Sequence, residues 1–142
     1  GHINSAELLK AMPDVTKAEA EIQAYAKSFQ EQLQAMSKEY ETKIQAFQAG
    51  EKTMTDAMKE VKVKEIKDLE ARIESTNQSA QEKVEKKRQH LLQPIIDKAH
   101  KANKAVATEK GYDYIFDTST GAFLQVKSSD DIMPLVKAKL SM

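Results

Sequence analysis

The stretch IQAYAKSFQEQLQAMSKEYETKIQAF, residues 22 to 47, decides how this chain folds. Its bulky apolar residues stand at Ile22, Tyr25, Phe29, Leu33, Met36, Tyr40, Ile44 and Phe47, with steps of 3, 4, 4, 3, 4, 4 and 3. That is an 11-residue repeat, about 3.67 residues per turn, so it draws one narrow seam along a long helix and excludes a strand. Backwards, the seam takes in Ala18 and Val15. The helix begins either at Thr16-Lys17-Ala18-Glu19, which has capping-box spacing, or with Pro13 in its first turn.

The pattern breaks at Ala49-Gly50-Glu51 and resumes at Met58, Ile66, Leu69, Ile73, Ala80, Val84, Leu91, Ile95 and Val106. Folding the chain back at Glu51 pairs residues whose numbers add to 102: Ile44 with Met58, Tyr40 with Lys62, Leu33 with Leu69, Phe29 with Ile73, Tyr25 with Asn77. The expected object is an antiparallel coiled coil with arms of about 35 residues, or about 50 Å. Its polar seam residues Lys62 and Asn77 then face tyrosines that cover them or hydrogen-bond to them. A role in register is preferred to a functional site there.

Beyond residue 90 the apolar stripe of the second helix widens to Leu91, Leu92, Ile95, Ile96, Ala99, Ala102 and Val106, a face suited to covering a sheet. Pro94 is expected to kink or loosen the helix, and Gly111 to end it. Tyr112 to Asp117 alternates, Thr118 to Gly121 is turn chemistry and Ala122 to Val126 is a second strand, so a β-hairpin is expected. Ser128 to Asp131 caps a short helix carrying Leu135, Val136 and Leu140. At the other end Gly1-His2-Ile3 reads as a strand, and Ala6 to Met12 as a short helix capped by Asn4 or Ser5. The expected fold is therefore α+β: a long coiled-coil helical hairpin, residues 14–90, on a small sheet body, residues 1–13 and 91–142, in one domain. Three short strands make a thin sheet, and its open edges invite the edges of identical chains.

Composition narrows the function classes. The 22 basic and 22 acidic side chains cancel, which leaves no net basic footprint for nucleic acid. With no cysteine, neither disulfides nor thiol chemistry are available. No apolar run reaches the roughly 18 residues of a membrane span, and no signal-peptide core is visible. Glycine occurs only at positions 1, 50, 111 and 121, so there is no phosphate-binding loop, and neither ATP nor any other cofactor is expected. His2, His90 and His100 form no ligand pattern; Asp97-Lys98-Ala99-His100 is half of a helical di-metal motif whose second half is missing. Lys83, Lys86, Lys87 and Arg88 read as a solvated face in preference to an anion site.

The segments GHINSAELLKAMPDV, QHLLQPI and EKGYDYIFDTSTGAFLQVKSSDDI together resemble the Skp/OmpH family of periplasmic chaperones. The similarity runs the whole chain in order, and its two ends are more specific than the coiled coil between them. What the resemblance implies is a homotrimer in the periplasm. Its strands would form a shared body, and three helical tentacles would enclose unfolded outer-membrane proteins. Ile3, Tyr114, Ile115, Phe116, Phe123, Leu124 and Val126 would belong to that trimer body. The family's first strand is cut short here, so residues before Gly1 are expected to be missing. The neutral charge departs from strongly basic relatives, and attraction to acidic clients or lipopolysaccharide should be weaker.

Near the turn of the hairpin, Met54, Met58, Val61 and Val63 are the candidate client-binding residues. Val61 and Val63 straddle the seam position Lys62, so either one stays exposed for contact with unfolded chains, or the helices roll to bury both. Two functions remain open: an ATP-independent holdase, or a structural coiled-coil adaptor or spacer that binds one folded partner. No acid, base and nucleophile can be assembled, so an enzyme is not expected.

Overall fold

The structure is a computed structural model that describes all 142 residues. It is mostly helical, with β1 at His2–Ile3, α1 at Ser5–Ala11, α2 at Pro13–Gly50, α3 at Asp56–Lys110, β2 at Phe116–Asp117 and α4 at Met133–Lys139. The chain divides into two compact units, Ile22–Lys87 and Gly1–Glu21 with Arg88–Met142, and α2 and α3 run through both.

In the Ile22–Lys87 unit the two long helices make a hairpin. Helix α2 opens at Pro13, whose missing N–H would have no helical partner there anyway, so the capping-box start is not used. It runs to Gly50, and a 3₁₀ turn follows at Glu51–Thr53. Thr53 Oγ1 donates to Gly50 O at 2.9 Å, and Thr55 Oγ1 accepts from Met58 N at 3.2 Å, so Thr55 caps the start of α3. The only fully buried apolar residues of this unit are Ile22, Leu69 and Ala80, as expected where each helix has a single partner.

The register differs from the pairing expected at Glu51. Lys43 Nζ lies 3.3 Å from Glu65 Oε2, Lys83 Nζ lies 5.8 Å from the Phe29 ring centre and Lys87 Nζ lies 5.9 Å from that of Tyr25. In the expected register these partners would be displaced along the helix by about 9 to 15 Å, at 1.5 Å per residue, beyond what a lysine side chain spans. All three deviate in the same direction. The reason is the connection: Glu51 to Thr55 consumes more residues than a pivot at Glu51, which moves the centre of the hairpin forward along the chain.

The other unit is built on the widened face of α3. Ala99, Ala102 and Val106 pack with Ile3, Leu8, Met12, Ile132 and Val136 into one core, with Leu9, Val15, Ile95, Tyr112, Ile115, Met133 and Leu140 around it. Small residues on α3 let α1 and α4 lie close. Asn4, not Ser5, caps α1, its side chain accepting from Glu7 N at 3.0 Å. The α3 helix continues through Pro94 and ends at Gly111, whose φ of +69° allows Tyr112 N to donate to Ala107 O at 2.9 Å.

β1 and β2 are parallel, with His2 opposite Phe116 and Ile3 opposite Asp117. His2 also bridges Asp131, so β1 lies between two chain segments. The expected hairpin of residues 112–117 and 122–126 does not form. Only Phe116–Asp117 is strand, and Ala122 to Val126 has no ladder partner. Two local causes are visible. Tyr112 is held by the helix closure, while Gly1 N donates to Tyr114 O at 3.0 Å and so occupies the segment before β2. After β2, the 3₁₀ turn Thr118–Thr120 and left-handed Gly121 (φ +70°) carry the chain away from the sheet.

Candidate functional site

Each unit carries one surface with chemistry to spare. At the hairpin turn, Lys43, Ala46, Phe47, Met54, Lys62, Glu65 and Ile66 line a cavity of about 80 Å³. Met54 reaches it because its methyl folds back over Gly50, where a Cβ would lie 2.9 Å from Met54 Cε. Lys43 and Lys62 both donate to Glu65 Oε2, at 3.3 and 3.4 Å. Those hydrogen bonds, Lys43's first and then Lys62's, together with the two positive charges, hold the Glu65 carboxyl below its ordinary range. Lys62 thus has a carboxylate partner, not the tyrosine expected from the seam.

Of the four residues expected to meet clients, Met54 enters this cavity, and the other three lie outside it. Met58, Val61 and Val63 are exposed, Val61 by 55%, so the helices have not rolled to bury the valines. Met58 is likewise not covered by Ile44 in the way its expected pairing required. The cavity's remaining members were not foreseen. The available signal was charge beside the seam: Lys43 precedes Ile44 and Glu65 precedes Ile66, so opposite charges flank facing apolar positions.

In the other unit, the residues assigned to a shared body separate into two groups. Ile3 is 2% exposed and belongs to the chain's own core, and Ile115 packs against that core. Both are engaged by the chain's own packing. Tyr114, Phe116, Phe123, Leu124 and Val126 do the opposite: all are exposed, Phe116 by 50% and Leu124 completely. The Phe116 ring touches two neighbours, stacked on Tyr114 at 6.3 Å between centres and tilted against Phe123 at 5.4 Å. Beside this patch His2 Nε2 is 2.9 Å from Lys127 O, and Phe116 N donates to Gly1 O at 3.0 Å.

Asp117 fixes where the patch leaves the sheet. Its carboxylate accepts from Ser5 Oγ, from Ser5 N at 3.2 Å and from Ser119 N at 2.9 Å. Burial pushes its pKa upward, but the hydrogen bonds from Ser5 and Ser119 outweigh that and hold it down at about 2. Ser5 and Asp117 thereby tie the start of α1 to the end of β2.

Along the rest of the chain, Lys83 and Lys87 lie over aromatic rings, and Lys98 Nζ pairs with Asp14 at 3.0 Å. No helix is long and apolar enough to cross a membrane. A family model described as outer membrane protein (OmpH-like) matches residues 1–140. The chain belongs to this OmpH-like family. Among solved structures, the chain is similar to one described as a candidate outer membrane chaperone (OmpH-like) from Caulobacter crescentus, at 15% identity and a TM-score of 0.84. That match covers 98% of this chain and 81% of the other. At such low identity the likeness concerns the OmpH-like fold, which the two chains share across both long helices and the ends. No curated protein matches the sequence.

Proposed function

We propose that this OmpH-like chain is a periplasmic, ATP-independent holdase chaperone, active as a homotrimer, that binds unfolded outer-membrane proteins and keeps them from aggregating. The observation that carries the reading is the uncovered patch of Tyr114, Phe116, Phe123, Leu124 and Val126 beside β2, whose outer edge no strand of this chain covers. A single chain leaves that surface in water, and pairing with other copies covers it. The segment Ala122 to Val126, which has no ladder partner within its own chain, then adds to a neighbour's sheet. The family match over residues 1–140 and the described role of the structural relative support the same reading.

Assembly through the body, residues 1–13 and 91–142, leaves three helical tentacles, residues 14–90, to hold the client. Met54, Met58, Val61 and Val63 supply weak apolar contacts, and tethering three sets raises the effective concentration of each further contact. Binding alone is the activity, with no reaction and no cofactor. The test is dilution of a urea-unfolded outer-membrane β-barrel into buffer with the full chain. Aggregation should be suppressed without nucleotide. Aggregation at the rate of the client alone, with binding only to one folded protein, would replace the holdase by an adaptor.

A further inference from the structure

The cavity at the hairpin turn has a composition that a general apolar contact does not require. Its floor is Ala46, Phe47, Met54 and Ile66, and its rim carries Lys43 and Lys62 sharing the single carboxylate of Glu65. Two ammonium groups against one carboxylate leave one positive charge on the rim. Each ammonium has three donors, and the side chains of Lys43 and Lys62 remain 34% and 48% exposed. A second carboxylate can therefore be accepted without removing Glu65.

Size restricts the apolar part. An enclosed cavity of about 150 Å³ takes a benzene ring, so the 80 Å³ here, open on one side, fits the branched end of a leucine or valine better than an aromatic ring. Met54 can adjust the fit, since its methyl rests over Gly50 with no side chain beneath it. In an extended polypeptide, alternate side chains share a face, so the acid that meets the lysines stands two positions from the residue that fills the floor.

We infer that the Lys43–Lys62 cavity seats a leucine or valine of an extended polypeptide that carries an aspartate or glutamate two residues away. The inference rests on the holdase reading and adds a sequence preference to it: an acidic and aliphatic pattern anchors at the turn, while Met58, Val61 and Val63 contact neighbouring residues without selection.

The experiment uses the full chain with ¹³C-methyl methionine, and soluble peptides capped at both ends that contain Leu-Ser-Asp, Leu-Ser-Asn or Ser-Ser-Asp in a Gly/Ser background. The Leu-Ser-Asp peptide should move the Met54 methyl resonance, and changing its Asp to Asn should weaken binding about tenfold, or 1.4 kcal/mol. The Ser-Ser-Asp peptide should bind still more weakly. In Lys43→Gln/Lys62→Gln the Asp and Asn peptides should bind alike, and Ala46→Leu, which fills the floor, should abolish the Met54 shift. Equal binding of the Asp and Asn peptides to the unaltered chain would overturn the inference, as would binding that leaves Met54 unmoved. Tighter binding of an uncapped peptide ending in leucine would also overturn it, reassigning the cavity to chain termini. Suppression of β-barrel aggregation, measured in parallel on the unaltered chain, judges the holdase reading separately. A chain that protects the client yet shows no Asp preference loses only this inference.

Discussion

Replacing Phe116 by Asp separates assembly from folding. The ring is 50% exposed in the single chain, so covering the rest is worth about half of a full phenylalanine burial, or about 1 kcal/mol per chain. In the proposed trimer the three chains together lose about 3 kcal/mol. The substitution also places three carboxylates in an apolar face, each costing at least about 1 to 3 kcal/mol if left without a partner. The sum exceeds about 6 kcal/mol, which lowers the three-chain association constant at least ten-thousandfold at about 1.4 kcal/mol per decade. Phe116→Ala forfeits only the burial and should cost about a hundredfold. Helix content should survive in both, because Phe116 touches only Tyr114 and Phe123 among aromatic rings and none of the three is in the core. Ile115→Asp is the contrast: Ile115 packs on the core, so that change should lower the melting temperature of the body as well. Sedimentation velocity from 1 to about 50 μM, with far-ultraviolet circular dichroism on the same samples, reads both quantities. A folded Phe116→Asp that sediments as the unaltered protein does, with that protein assembled, would refute the assignment of this face to assembly.

Asp117 predicts an acid transition. Its folded pKa of about 2 lies below the ordinary 3.8, so its stabilisation is complete above pH 4 and is lost as pH falls through about 2. After allowance for solvent screening this is about 1 kcal/mol, and Asp117→Asn should flatten that part of a stability-against-pH curve. Val136 is wholly buried, so Val136→Ala should cost about 2 kcal/mol and lower the melting temperature by several degrees at fixed protein concentration. Met54→Ser with Val63→Ser should weaken client holding while the sedimentation coefficient stays that of the native assembly. Since the 22 basic and 22 acidic groups cancel, physiological salt should change overall client affinity by less than about tenfold in fluorescence titrations.

Much of the fold was legible because it depends on neighbours in sequence. Pro13, Gly50 and Gly111 mark helix ends by local stereochemistry, and the cap at Asn4 needs only the N–H of Glu7. The widening of the α3 stripe at Ala99, Ala102 and Val106 identified the core face for the same reason. The strands were less legible. Alternation in Tyr112 to Val126 reports which residues are apolar, but a strand exists only where a ladder partner lies alongside. Within this chain β1 meets just two residues of that run. That Ile3 lies inside the chain's own core, while Phe116 of the paired strand stays exposed, was not legible for the same reason, since a strand pattern does not say which face the chain's own helices cover. For the cavity at the turn the charges beside Ile44 and Ile66 were legible, but that they meet depends on register, which was not.

Register itself shows why a seam underdetermines a coiled coil. Moving the pairing by about seven residues, or two turns, returns seam positions to seam positions or to their immediate neighbours, because seven is the sum of one step of 3 and one of 4. Tyr40 then faces Leu69, Phe29 faces Ala80 and Tyr25 faces Val84, in place of Lys62, Ile73 and Asn77. Leu69 and Ala80, the two most buried residues of α3 in this unit, lie on the seam in either register, so the lysine contacts decide between the two. Lys83 and Lys87 each lie three residues past the new partner of Phe29 and Tyr25, one turn along the helix, within reach of the rings they cover. The shift also brings Lys62 opposite Phe47, close enough to share Glu65 with Lys43. The apolar period limits the pairing to a few registers, and the length of the connection from Glu51 to Thr55 chooses among them. The charged clamp at the turn follows from that choice: in the earlier register Lys43 would lie opposite Lys59, and Glu65 would stand about 9 Å away along the helix.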